Sequence, residues 1–168
     1  MEQGSVLHAN HEGVHVLRFL GDIRYPLSPS VDRFLQRLFA AGLPAGFVVD
    51  LTETKSIDST NLGLVARIAE RMRKGGGSRV TIVCDQPDIN DVLTGMGFDA
   101  VFRIVESSKT LPGEVQALTV SEADCNAVAD VVLQAHRTLM AMNEHNRETF
   151  RDVVAAIEQE RTGETFEG

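Results

Sequence analysis

Near the start of the chain Val14, Val16 and Phe19 stand among polar neighbours, after a shorter apolar stretch at residues 6–8. The alternation suits a half-buried strand at residues 14–20, and residues 6–8 read as a first strand joined to it by a turn around residues 10–13. The spacing then becomes helical. Ser28 and Pro29 suit a helix start, Val31, Phe34, Leu35 and Leu38 form a stripe, and Gly42 and Pro44 end it. Gly46-Phe47-Val48-Val49-Asp50-Leu51 is nearly continuous in apolar character, as in a central strand. A polar loop is expected next, and then a second helix starting close to Ser59. Leu62, Val65, Ile68, Ala69 and Met72 share one of its faces, and Gly75-Gly76-Gly77 stops it behind Arg71, Arg73 and Lys74. Residues 79–84 read as a strand. Pro87 opens a third helix carrying Ile89, Val92, Leu93 and Met96, Gly97 closes it, and residues 100–105 read as a last strand. Strand and helix alternate from Gly46 onward, which predicts parallel strands covered by helices. With the opening hairpin, the fold class is α/β with a mixed, largely parallel sheet.

The pattern changes after Leu111-Pro112-Gly113. Ser121-Glu122-Ala123-Asp124 resembles a capping box with Asp in the place of Glu. Val128, Val131, Ala135, Leu139 and Met142 then recur at helical spacing, and Phe150, Val153, Val154 and Ile157 resume it. Polar residues 143–146 leave two readings open, one long helix with a weak middle or two helices. Charge marks the same boundary. Residues 1–113 hold 12 Lys/Arg against 13 Asp/Glu, whereas residues 114–168 hold 4 against 11. The expected organisation is therefore a domain at 1–113 and an acidic helical extension at 114–168. That extension either packs on its own domain, touches a basic partner surface, or pairs with a second copy of the chain.

The net charge of −8 opposes contact with nucleic-acid phosphates or anionic lipid. No apolar run reaches the roughly 20 residues of a membrane-spanning helix, and Met1-Glu2-Gln3-Gly4 does not open a secretory signal. Two cysteines, Cys84 and Cys125, make neither a disulfide framework nor a thiolate metal cage. A reduced, cytoplasmic setting is the simplest expectation. His8 with His11, and His136 with His145, lack the further ligands a zinc site wants. No G-x-S-x-G elbow is present, and the glycine triplet lacks the Lys-Ser/Thr of a phosphate loop. A receiver domain is set aside because no early acidic pair accompanies Asp50. No enzymatic chemistry, metal or cofactor is expected.

The informative stretch runs from Asp50 to Leu64. A buried strand ends, a polar segment follows, and Asp58-Ser59 begins a helix. Helix N-termini present unpaired N–H groups and positive partial charge, so an anion is tolerated there. A phosphate on Ser59 would bring about −1.5 to −2 charges. A serine at this place is ordinarily a cap, and Asp58 could be the cap itself or a group that orients Ser59.

The segments Asp50-Leu51-Thr52 and Ile57-Asp58-Ser59-Thr60-Asn61-Leu62-Gly63 resemble the signature of the STAS domain of anti-sigma factor antagonists. The likeness in element order covers residues 5 to about 113. It implies that Ser59 is the phosphorylated serine and that Thr60 is a lesser candidate. It implies further that the unphosphorylated form binds an anti-sigma factor, often a serine kinase. A PP2C-type phosphatase, or a response regulator carrying such a domain, would reverse the modification. Phosphorylation next to Glu53 and Asp58 would add like charge and release the partner. Two residues depart from the family pattern. Asn61 stands where Gly is usual. In Gly21-Asp22-Ile23-Arg24 a cation occupies the last place, where the family often has Asp, so Arg24 is expected to stabilise Asp58 or a phosphate on Ser59. A STAS subunit of a scaffold or transport assembly, with no phosphorylation, is the alternative.

Overall fold

The computed structural model describes residues 4–106, 115–121 and 123–166. The opening hairpin forms as the alternation predicts, with β1 (Ser5–His11) antiparallel to β2 (Val14–Ile23). A single 3-10 turn at Tyr25–Leu27 leads into α1 (Ser28–Ala40), so the expected cap at Ser28 is instead the first helical residue. Its hydroxyl donates back to the Tyr25 carbonyl at 2.6 Å. Then come β3 (Gly46–Asp50), β4 (Thr54–Ile57), α2 (Ser59–Lys74), β5 (Thr81–Val83), α3 (Pro87–Gly95), α4 (Phe98–Val101), β6 (Arg103–Val105), β7 (Val115–Ala117), α5 (Cys125–Met142) and α6 (Glu144–Phe166).

Among the described residues the sheet has seven strands in the order β6-β5-β3-β2-β1-β7, with β4 paired to β2 off that path. β2, β3, β5 and β6 are parallel, and β7 adds antiparallel to β1. The order from β2 to β6 advances one step at each crossover. Right-handed crossovers in one direction put α1, α2 and α3 on one face of the sheet. Leu17, Phe19, Phe47, Val49 and Ile82 are buried there against Val31, Leu35, Leu62, Val65 and Ile68 in one core.

Two expectations are corrected. The polar loop after Leu51 contains β4, which continues the sheet beside the far end of β2, pairing Asp22 with Ser56 and Ile23 with Ile57. Residues 100–105 are not one strand. The turn of helix α4 occupies the first part because Phe98 and Phe102 both point inward, buried and stacked with centroids 5.0 Å apart.

The C-terminal residues form two helices broken at Asn143, whose backbone is extended. Asp124, not Ser121, caps α5, accepting from the Ala127 N–H at 2.7 Å. Ser121 instead receives a bond from Arg33 at 3.0 Å and donates its N–H to Ser30 at 3.2 Å. α5 lies across α2 and α1 and makes a third layer over the helices. Consequently α2 is enclosed. Seven consecutive residues, Thr60 to Ala66, are buried, which is nearly two full turns and so covers every face. The apolar stripe predicted only one of those faces.

A pair of histidines sets a pH dependence. His8 and His15 stack at 5.1 Å with a ring-nitrogen contact of 2.8 Å, and His8 rests edge-on against Phe34. Burial lowers the pKa of both, and for His8 the neighbouring His15 adds to it. Below the ordinary histidine value of about 6.5, the unfolded chain takes up protons that the folded chain refuses. The contribution of this pair to stability therefore falls as pH drops through that value toward the lowered folded-state values, and is constant above it. His15→Gln should give a shallower fall of melting temperature between about pH 7 and 5, measured by circular dichroism.

Candidate phosphorylation and docking site

The site is built where β3 ends. Asp50 is mostly buried, and one carboxylate oxygen accepts the Thr52 N–H at 2.9 Å and the Thr52 hydroxyl at 2.7 Å. The other oxygen accepts from Arg18 at 3.2 Å, and Arg18 also lies 3.8 Å from Glu53. This is why Asp-Leu-Thr is useful as a local sequence. The aspartate closes the turn that sends the chain toward β4. Gln86 holds the same turn from outside, donating to the Thr52 carbonyl at 2.9 Å. Gly21 N–H bonds the Glu53 carbonyl at 3.0 Å at a register shift in β2, with φ of +80°, a conformation suited to glycine. Thr54, fully buried, donates its hydroxyl to the Phe19 carbonyl at 2.7 Å.

Asp58 is the cap of α2. Its backbone is extended, and one carboxylate oxygen accepts the Asn61 N–H at 3.0 Å and the Asn61 side-chain amide at 2.9 Å. Such a cap contributes about 1 kcal/mol. Asn61, standing where the family has Gly, thus uses its amide on the cap, and its own buried carbonyl oxygen has no donor among the described residues. Thr60 is buried beneath. Ser59 is therefore the first helical residue and free of capping duty.

Its hydroxyl has another partner. Ser59 Oγ lies 2.8 Å from Nε2 of His136, a buried residue of α5. His136 Nδ1 lies 2.7 Å from the Val132 carbonyl. A carbonyl can only accept, so Nδ1 carries the proton, Nε2 offers its lone pair, and the Ser59 hydroxyl donates. The imidazole is further fixed edge-on against Phe150 of α6 at 5.2 Å. One turn along α2, a Cβ at Gly63 would strike the Ala135 carbonyl, and would come within 2.7 Å of the Ala135 Cβ.

Of the residues singled out from sequence, Asp58, Ser59, Thr60 and Asn61 lie at this β4–α2 corner, Asp22 joins it by accepting the Ser56 hydroxyl at 2.7 Å, and Glu53 stands at the other end of β4 beside Arg18. Arg24 is exposed, and among the described residues its side chain pairs with neither Asp58 nor any other acid. His136 and Arg18 were not anticipated as part of the site. For His136 a signal existed, a polar residue inside the apolar stripe of α5, but its partner lies 77 positions away. A shallow groove of about 670 Å³ runs elsewhere, between α1, α2 and α5. Its cations are engaged, Arg67 with Asp32 at 2.6 Å, Lys74 with Glu70 at 2.7 Å and Arg71 over the Phe39 ring.

The sequence matches the STAS domain family model over residues 7–111. The chain belongs to the STAS domain family. A crystal structure of an anti-sigma factor antagonist from Mycobacterium paratuberculosis has the same STAS fold, with a TM-score of 0.55 at 23% identity, over 62% of this chain and 87% of that one. No curated protein matches the sequence. The STAS match ends before β7, so the strand that completes one sheet edge and the α5–α6 pair both lie beyond it. No helix among the described residues is long and apolar enough to cross a membrane.

Proposed function

We propose that this STAS protein is a phosphorylation-switched anti-sigma factor antagonist. Unphosphorylated, the β4–α2 corner docks on an anti-sigma factor or switch kinase and so frees a sigma factor. A phosphate on Ser59 ends the contact, and a PP2C-type phosphatase or response regulator restores it. The observation that carries this reading is the division of labour at the helix start. Asp58 caps α2, which leaves the Ser59 hydroxyl unneeded by its own helix at a position where positive partial charge favours an anion. Beside Asp58, that anion would repel an acidic partner surface and would be costly to desolvate against an apolar one. The proposed domain is residues 1–113, with residues 114–168 as its helical extension, in a cytoplasmic setting.

One observation favours the second reading, a non-phosphorylated STAS subunit of a scaffold or transport assembly. The Ser59 hydroxyl is already engaged by His136. Intact-mass analysis of the protein purified from its native cell separates the two. A one-phosphate satellite mapping to Ser59 is the expected result, and its absence under every growth condition would favour the subunit.

A further inference from the structure

We propose that α5 and α6 form an intramolecular clasp that holds the hydroxyl of the half-buried Ser59, which becomes fully available to a kinase or a docking partner when the clasp lifts. This rests on the reading of Ser59 as the switch. Adjacent residues of α5 make the closure. Ala135 lies against Gly63, and His136 takes the hydrogen bond of Ser59, one turn away on α2.

The hydrogen bond that closes the clasp and a phosphate on Ser59 exclude one another. A separation of 2.8 Å between Oγ and Nε2 leaves no space for a phosphorus and its oxygens. The His136 ring is held in this orientation by the Val132 carbonyl at its other nitrogen and by Phe150. The backbone contact at Gly63 holds α5 at the same height. A phosphoryl group on Ser59 therefore removes the bond that seats α5 here and leaves the helix free to move.

The pair is built to move as a unit. α6 returns along α5, with Phe150 on His136 and Arg137 bonded to Glu158 at 2.6 Å. Its attachments to the rest are polar at both ends. Ser121 meets Ser30 and Arg33 at the start of α5. At the far end the Asn143 and Asn146 amides both donate to the Met96 carbonyl, at 3.0 and 2.9 Å. The closed state also leaves buried acceptors without donors, Asn61 Oδ1 beside Ser59 and Asn146 Oδ1 at the far joint. Buried acceptors of that kind oppose closure and regain water on opening. Apolar contacts of Val131, Leu139 and Phe150 with the core hold the clasp shut in the resting chain.

The test is thiol labelling of the full chain carrying Ser59→Cys and Cys125→Ser, with N-ethylmaleimide and peptide mapping. Cys84 is buried in the core and serves as an internal gauge of folding. Adding Ala135→Leu, which wedges α5 from α2, should speed labelling of the thiol at position 59 about tenfold or more while Cys84 stays protected. If Cys84 also reacts, the chain has unfolded, and Asn143→Ala with Asn146→Ala takes its place, freeing the far joint without touching α2. The same acceleration is expected. Unchanged labelling at position 59 with Cys84 protected overturns the clasp. No kinase takes part, so a missing phosphate at Ser59 would defeat the switch while leaving this result standing.

Discussion

Ser59→Asp is expected to bind the anti-sigma partner at least about a hundredfold more weakly than the parent chain, because an unmatched charge in an interface costs several kcal/mol. The carboxylate would stand beside Asp58, which the cap keeps in place. Ser59→Ala makes the informative contrast. It removes the bond to His136 but adds no charge, and Asp58 still caps the helix. Partner binding by Ser59→Ala should stay within about threefold of the parent, or improve as the clasp loosens, since one neutral hydrogen bond is worth about 1 kcal/mol. The partner for titration calorimetry is the protein that co-purifies with Ser59→Ala from the native cell. Equal affinity of the parent and Ser59→Asp for that protein would sink the phospho-switch.

The contrast depends on features that differ in how far the sequence displays them. Asp50-Leu51-Thr52 and Asp58-Ser59 are local devices. Each carboxylate bonds an amide two or three residues on, so a reading of neighbouring residues finds them. The alternation in β2 and the stripe of α1 are equally local. What stays hidden is made by partners distant in the chain. β4 reads as a polar segment, and only its pairing with residues 21–23 of β2 makes it a strand. The helical turn at 98–101 shares its apolar residues with a strand pattern, and the inward stacking of Phe98 on Phe102 decides between them. α2 reads as amphipathic because Thr60, Asn61 and Gly63, which are buried off the stripe, carry no apolar signal. Gly63 and Ala66 in fact lie on a helix enclosed by α5. His136 belongs to the same class. The helix that carries it was legible, but the residue it meets was not.

Gly63 offers the sharpest test of that enclosure, through a change whose sign is opposite to the usual one. In an exposed helix interior, glycine to alanine gains about 1 kcal/mol, because alanine loses less backbone freedom on folding. At Gly63 the added methyl would meet the backbone carbonyl and the Cβ of Ala135, the latter within 2.7 Å. Backbone cannot rotate away as a side chain can, so α5 has to shift as a body, and overpacking of this kind costs about 1–3 kcal/mol. Gly63→Ala should therefore be destabilising on balance and Gly63→Val more so. Gly95 supplies the control, lying at the end of α3 where an added methyl would meet nothing within 4 Å. Gly95→Ala should raise the melting temperature by about 1–3 °C, and Gly63→Val should lower it by about 4–10 °C, taking 2–4 °C per kcal/mol for a chain of this size. The loss at Gly63 should be accompanied by faster amide exchange in α5 and α6, since those helices are the part displaced. A Gly63→Val chain as stable as its parent would mean that α5 is not seated on α2, and with it the engagement of Ser59 by His136 would fall.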